Sequence, residues 1–247
     1  MVSATMSEKK EHVKEFFEQT DVYLTYDHNL RIRCETVKDF IGDRKFKNVL
    51  DLPCGTGDIS IPLIDQFEKL TLVDIAKNMV DMATSKVPED QSQKILAINA
   101  DFEELDVPNE SFDLVISLGI LAHVEEPDHF MEFIASTVKT GGYLIIQNTD
   151  SHHFYSHLIR GYLGVKRAVG KDEYSMNRIS GNHVERVLRA HGLDLVRKFR
   201  YNQSLLGFSH MFSDEQKYQM IRDMFGDASN NKRAALGSDV TYLFKKS

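Results

Sequence analysis

Short, almost wholly apolar runs alternate with helix-patterned segments between residues 48 and 148, and this alternation narrows the fold more than any other feature. Residues 48–52, 70–74, 94–99, 112–118 and 143–148 read as strands, and 59–67, 76–85 and 127–138 as the helices between them. A strand that is apolar on both faces has to be covered on both. The pattern therefore predicts a parallel sheet with helices on either side. Ligands of such sheets sit beyond the carboxyl ends of the strands, so the residues closing each run are the first candidates for function.

The first run closes in Asp51-Leu52-Pro53-Cys54-Gly55-Thr56-Gly57 and leads into a segment with Pro62 in its expected first helical turn, where proline is tolerated. Glycines let a backbone approach a ligand closely, and a helix start offers unpaired N–H donors, so strand, glycine turn and helix read as a nucleotide-cofactor cradle. Pro53 has no N–H and a fixed negative φ, which leaves the close approach to Gly55 and Gly57. Asp74 closes the second run, and a carboxylate there can accept from both hydroxyls of a ribose. Ile75 follows it and can pack on an adenine ring. Asp101 closes the third run, placed to accept from an exocyclic amine, with the Phe102 backbone reading a ring nitrogen.

The glycine turn, the second-strand acid and the Asp101-Phe102 pair together resemble the class I S-adenosylmethionine (SAM)-dependent methyltransferases, strongly over residues 45–150 and in outline elsewhere. The outline is similar to quinone-biosynthesis-like small-molecule enzymes. That family usually has a further glycine where this chain has Pro53. The resemblance implies an α/β, Rossmann-like doubly wound sheet of seven strands, the last antiparallel, with helical cover insertions. It also implies SAM as the cofactor, Asp51 supporting the methionine ammonium side, and the carbonyl of Ser117 or Leu118 as the direct ammonium partner. Tyr26 and Met79 complete the residues assigned to the cofactor.

A single domain over 1–247 is expected. Residues 1–44 form a helical N-terminal cap, 45–150 the SAM-binding core, 151–237 substrate-cover insertions with a sixth strand, and 238–247 a final strand. Within the cap, residues 1–10 are polar, 11–19 have helical character, Tyr23 and Tyr26 suggest a lid, and 30–41 is a helix with Ile32, Val37, Phe40 and Ile41 on its apolar side, stopped by Gly42. Residues 151–176 break the rhythm. Ser180 is a candidate N-cap for a helix reaching about His191, Leu193–Tyr201 reads as a strand, Asp214–Phe225 as a helix and 239–244 as the last strand. The aromatic and Met-rich residues Phe154, Tyr155, Tyr162, Phe208, Met211, Phe212, Met220, Met224 and Phe225 suit a hydrophobic or aromatic acceptor.

Methyl transfer from a sulfonium asks for alignment, exclusion of water and, for some acceptors, a base. His123, after the fourth strand, and His152 and His153, after the fifth, are the candidates. The accepting atom is not legible in the sequence; O-methylation is the commonest case on this outline, with N-methylation next.

A net charge of −7 with scattered Lys and Arg argues against nucleic acid as a partner. A nucleic-acid methyltransferase is disfavoured further because Ser117-Leu118-Gly119-Ile120 replaces the Asn/Asp-Pro-Pro-aromatic motif. A nicotinamide-dependent oxidoreductase needs Gly or Ala where Ser60 stands. A SAM-binding protein without activity, serving regulation or interaction, is the alternative of another class. Two cysteines, no Cys/His metal spacing and no apolar run of membrane length lead to the expectation of a metal-independent, cytoplasmic protein without a membrane span. A small molecule is the expected partner, and a homodimer is compatible with the sequence.

Overall fold

The computed structural model describes residues 27–167, 177–203 and 211–247, together with Glu11, Lys14 and Glu15, which are helical. Seven strands form one sheet: β1 (Phe46–Asp51), β2 (Phe67–Asp74), β3 (Ile95–Asn99), β4 (Phe112–Ser117), β5 (Val138–Thr149), β6 (Leu193–Tyr201) and β7 (Asp239–Lys246). Their order across the sheet is β3-β2-β1-β4-β5-β7-β6. β7 runs antiparallel to both neighbours, β5 and β6, and the pairs from β3 through β5 are parallel. The sheet is the one the alternation predicts, with its single reversed strand between β5 and β6.

Side chains alternate between two cores. Val49, Leu70, Leu72, Leu114, Ile116, Ile145 and Leu243 face one side. There they meet Ile32, Val37, Phe40 and Ile41 of α1 (Asp27–Ile41). Leu50, Val73, Val115, Leu144, Ile146 and Val240 face the other, beneath α3 (Pro127–Thr137) and α5 (Gly181–Ala190). α2 (Lys77–Ser85) lies between β2 and β3, α4 (Phe154–Arg167) follows β5, and α6 (Asp214–Phe225) packs on α1.

Capping residues fix the later helices. The Ser180 side chain accepts from His183 N at the start of α5, and Ser213 and Gln216 form a reciprocal capping box at the start of α6. α1 ends at Gly42, whose φ of +57° suits the left-handed stop. It begins at Asp27, earlier than its apolar pattern indicates.

Three expectations change. β5 starts at Val138, where the strand was expected from Tyr143, and pairs with β4 from there. The segment expected as a crossover helix over 59–67 is a six-residue 3₁₀ turn, Ile61–Gln66, and β2 starts at Phe67, so its first three residues replace expected helix and loop. The physical reason lies at Ser60. Its hydroxyl donates to Asp51 Oδ2 at 2.5 Å and makes no cap bond, and Pro62 lacks an N–H at the next turn. The cradle therefore has a glycine turn but no α-helix N-terminus behind it. Within 151–176, residues 154–167 are helical where no helix was expected. Tyr23, Tyr26, Tyr174 and Phe208 lie outside the described residues.

Candidate active site

The glycine turn hangs between strands. Leu52 N donates to Ile116 O on β4 at 3.0 Å and Cys54 N to Val73 O on β2 at 2.8 Å. The Leu52–Pro53 peptide is cis. Gly55 and Gly57 have φ of +49° and +75°, conformations that glycine adopts without a Cβ penalty. At Gly57 a Cβ would lie 2.3 Å from Ile61 Cδ1, so this glycine serves packing as well as the turn.

Asp51, the last residue of β1, is 2% exposed. Burial pushes its carboxyl up to about 7, the Ser60 hydroxyl opposing the rise and the nearby charge of Asp74 adding to it. Asp74 closes β2 with both oxygens in use: Oδ2 accepts from Gly55 N at 2.9 Å and Oδ1 from Ala76 N at 3.0 Å. Burial raises this carboxyl too, against the pull of those amides. An ionised carboxylate has more lone pairs than these two bonds fill. Asp74 thus pins the turn and keeps acceptor capacity for hydroxyls.

Beside the turn lies an apolar cleft. Leu52, Pro53, Ile75, Ala100, Phe102, Ile120, His123 and Val124 line it, with the carboxylates Asp101 and Glu125. The Phe102 ring stands edge-on to Phe130, with centroids 5.0 Å apart, which fixes the backbone beside Asp101. Asp101 itself accepts from Glu103 N at 3.0 Å. A largely apolar cleft with carboxylates in its lining, next to the Asp74 carboxylate and a glycine turn, has the chemistry that a flat ring and a pair of hydroxyls call for. Met79 is buried on α2 and is not among the residues lining this cleft. Ser117 and Leu118 are buried where β4 ends. The Ser117 hydroxyl has no hydrogen-bond partner among the described residues.

The three histidines are not brought together. His123 lines the apolar cleft. His152 is exposed and borders a surface groove with Arg178, His183 and Arg186. His153 is engaged at both ring nitrogens, Nδ1 accepting from Tyr155 N at 3.2 Å and Nε2 donating to Ala235 O at 2.9 Å. Among the described residues no three His, Cys, Asp or Glu side chains form a metal-binding group, and no helix is long and apolar enough to cross a membrane.

Sequence reasoning missed Arg33 and a polar row on the last strands. A methyl placed on Gly119 would lie 3.6 Å from Arg33 Nη1, and the guanidinium also lies near Tyr201 and Asp239, where it opposes the upward push of burial on both. Gln147, Thr149, Tyr201, Asp239 and Thr241 are the row. The available signal was a polar residue at the inward position of each strand, such as Gln147 two residues after Ile145.

A glycine turn after β1, an acid closing β2, an acid after β3 and a reversed β7 beside β5 define a cofactor domain of the methyltransferase kind. Residues 50–146 match the family model described as a methyltransferase domain. The demethylmenaquinone methyltransferase of Oceanobacillus iheyensis is 32% identical over 190 residues, covering 68% of this chain and 79% of that protein. The phosphatidylethanolamine N-methyltransferase of Cereibacter sphaeroides is 30% identical over 152 residues, 61% of this chain and 71% of that one. Against other curated relatives the chain spans about half their length. The magnesium protoporphyrin IX methyltransferase of Synechocystis, solved with bound SAH, shares the fold at a TM-score of 0.64 and 16% identity, covering 97% of this chain and all of that one. The chain belongs to the class I SAM-dependent methyltransferases of small-molecule type.

Proposed function

We propose that this enzyme transfers the methyl group of SAM to a hydrophobic or aromatic small molecule, with oxygen as the accepting atom and nitrogen the next choice. One observation carries the cofactor half: Asp74, the Gly55–Gly57 turn and the cleft lined by Asp101 stand side by side at the carboxyl ends of β1, β2 and β3. Asp51 and the β4 terminus then lie on the methionine side. When bound, SAM supplies an activated methyl on a sulfonium. The chain's own residues orient it, keep water away and present the acceptor. Orientation of this kind contributes up to roughly 7–11 kcal/mol in favourable systems.

Support for the acceptor class comes from the relatives' names, demethylmenaquinone and phosphatidylethanolamine methyltransferases, and from the covering helices. Phe154 and Met211 are exposed at 49% and 65%, surface that a bound acceptor can cover. Tyr218, Ile221 and Phe225, by contrast, fill the core between α1 and α6.

Calorimetry with SAM, followed by a methyl-transfer screen against phenols, amines and carboxylates, tests the reading. SAM heat with turnover on a phenol supports it. Binding without turnover on any nucleophile, with a stable protein complex, favours a non-catalytic role. Alanine variants of His123, His152 and His153 decide whether a base takes part: a base contributes about 10²–10⁴-fold, so the variant that removes it loses turnover on that scale while SAM affinity holds.

A further inference from the structure

Away from the apolar cleft, a surface groove of about 550 Å³ gathers positive charge. Arg178, Arg186, His152 and His183 line it, with Asp128 as the one acid in its lining, in a chain whose net charge is −7. That acid is engaged: Asp128 Oδ1 accepts from His183 Nε2 at 2.7 Å. With Nε2 donating, His183 Nδ1 is an acceptor and takes a hydrogen from Arg186 Nη2 at 2.7 Å. The relay holds one edge of the Arg186 guanidinium. Its other N–H groups, the Arg178 guanidinium and the His152 ring have no partner among the described residues, and all three side chains are exposed.

The backbone that carries Arg178 is fixed on both sides. Asn177 N donates to Ala122 O at 2.9 Å, and Asn177 Nδ2 to Leu121 O at 3.0 Å. Ile179 O accepts from Ser151 N at 3.0 Å and from Asn148 Nδ2 at 3.0 Å. Only the side chain of Arg178 then has to be ordered when a ligand binds, which keeps the entropic cost small.

The groove and the apolar cleft share one segment of chain. Ile120, His123 and Val124 line the cleft, and Pro127 and Asp128 line the groove. Three residues span at most about 11 Å, so Val124 and Pro127 lie within the length of a small molecule. The bonds from Asn177 to Leu121 and Ala122 tie the two openings further. His152 follows the end of β5, the strand next to β4, so it stands at the same carboxyl edge of the sheet as the cofactor residues.

We propose that this groove receives a phosphate group of the methyl acceptor, held by the guanidiniums of Arg178 and Arg186 with His152 beside them. A carboxylate is filled by one guanidinium in a two-bond fork. A phosphate monoester has three terminal oxygens and charge for two cations, which matches the pair of arginines. The start of α5 at Ser180 adds its partial positive charge. His183 is a positioning residue, acting through Arg186. This inference deepens the methyltransferase reading and rests on it for calling the phosphate the acceptor's; the charge of the groove does not depend on it.

The test titrates the full chain with phenyl phosphate, phenol and inorganic phosphate, each with and without S-adenosylhomocysteine. The wild type is expected to bind phenyl phosphate about tenfold or more above phenol, with the margin shrinking in high salt. Arg178→Gln and Arg186→Gln, both at exposed positions, should each weaken phenyl phosphate about five- to tenfold while the melting temperature and the affinity for S-adenosylhomocysteine hold. Arg189→Gln, on the same helix but outside the groove's lining, should change nothing. His183→Ala should weaken phenyl phosphate and leave phenol unchanged; equal weakening of both would overturn its positioning role. No preference for the phosphate in the wild type, or an equal loss in Arg189→Gln, overturns the site. Inorganic phosphate binding as tightly as phenyl phosphate, whether or not S-adenosylhomocysteine is present, would overturn the assignment to the acceptor and keep the anion site. Failure to bind S-adenosylhomocysteine with the phosphate preference intact would instead overturn the methyltransferase reading alone.

Discussion

Replacing Asp51 with Asn keeps the side-chain shape and removes its charge. Asp51 is 2% exposed, its Oδ2 accepts from Ser60 Oγ, and its carboxyl is pushed from the ordinary 3.8 up to about 7. The folded free protein therefore holds a proton there that the unfolded chain gives up near pH 4. Below both values the group has no effect on stability. As pH rises from 4 to 7 the folded state binds more protons than the unfolded one, and stability falls. The full difference corresponds to about 4 kcal/mol at pH 7, an upper figure for a site that can relax.

Asn lacks this penalty and keeps an oxygen for Ser60. Asp51→Asn should thus melt higher than the wild type at pH 7, by at most roughly 8–16 °C at about 2–4 °C per kcal/mol, and the gap should close towards pH 4. SAM affinity should move the opposite way. A carboxylate facing the methionine ammonium is worth about 1–3 kcal/mol, so the variant should bind SAM about tenfold or more weakly at pH 7. Because the carboxyl must first ionise, wild-type affinity should rise with pH between 5 and 7, with proton release into the buffer; the variant should show neither. Differential scanning fluorimetry and calorimetry in two buffers of different ionisation enthalpy read both effects. A wild-type SAM affinity that is flat over this range, or a variant that keeps the wild-type slope, would refute the reasoning.

Other perturbations have equally definite outcomes. Gly57→Ala places a Cβ 2.3 Å from Ile61 Cδ1 at a φ of +75°; a loss of about 2–4 kcal/mol is expected from the conformation and the overlap together, read as a lower melting temperature. Asp74→Ala leaves Gly55 N and Ala76 N without their acceptor, so both stability and SAM affinity should fall, each by about 1–3 kcal/mol; unchanged affinity would remove Asp74 from the cofactor site. Glu35 joins α1 to α6 through Tyr218, at 2.9 and 3.0 Å, and through Arg222, and it pairs with Arg31 within α1. Glu35→Gln should lower the melting temperature modestly, by about 0.5–1.5 kcal/mol, and the difference should shrink in high salt.

The strands and the motif ends were legible because their signals are local. An apolar run of strand length has to be covered, and an acid or glycine at its end falls on the carboxyl edge whatever the rest of the chain does. β1, β4 and β6 lie where their residues say, Asp51 and Asp74 close β1 and β2, and Asp101 follows β3. Gly55 and Gly57 take the positive φ that their place in a tight turn demands. Ser180 caps α5, since capping needs only residues within one turn.

Tertiary structure alone decided the rest. Ser60 reads locally as a helix start, yet a buried carboxyl across the turn captures its hydroxyl, and six residues of 3₁₀ stand where a helix was expected. The three histidines share a chemistry and an approximate edge in the sequence but separate in space, one into the apolar cleft, one to the surface and one into backbone bonds with Ala235 and Tyr155. Gln147, Thr241 and Arg33 come from two strands and a helix far apart along the chain. Whether a buried polar atom has a partner depends on which element is packed against it, and only the assembled sheet with α1 above it fixes that. Local residue order set the sheet, the turn and the two acids at its carboxyl edge; packing of one element on another decided which buried polar groups have no partner among the described residues.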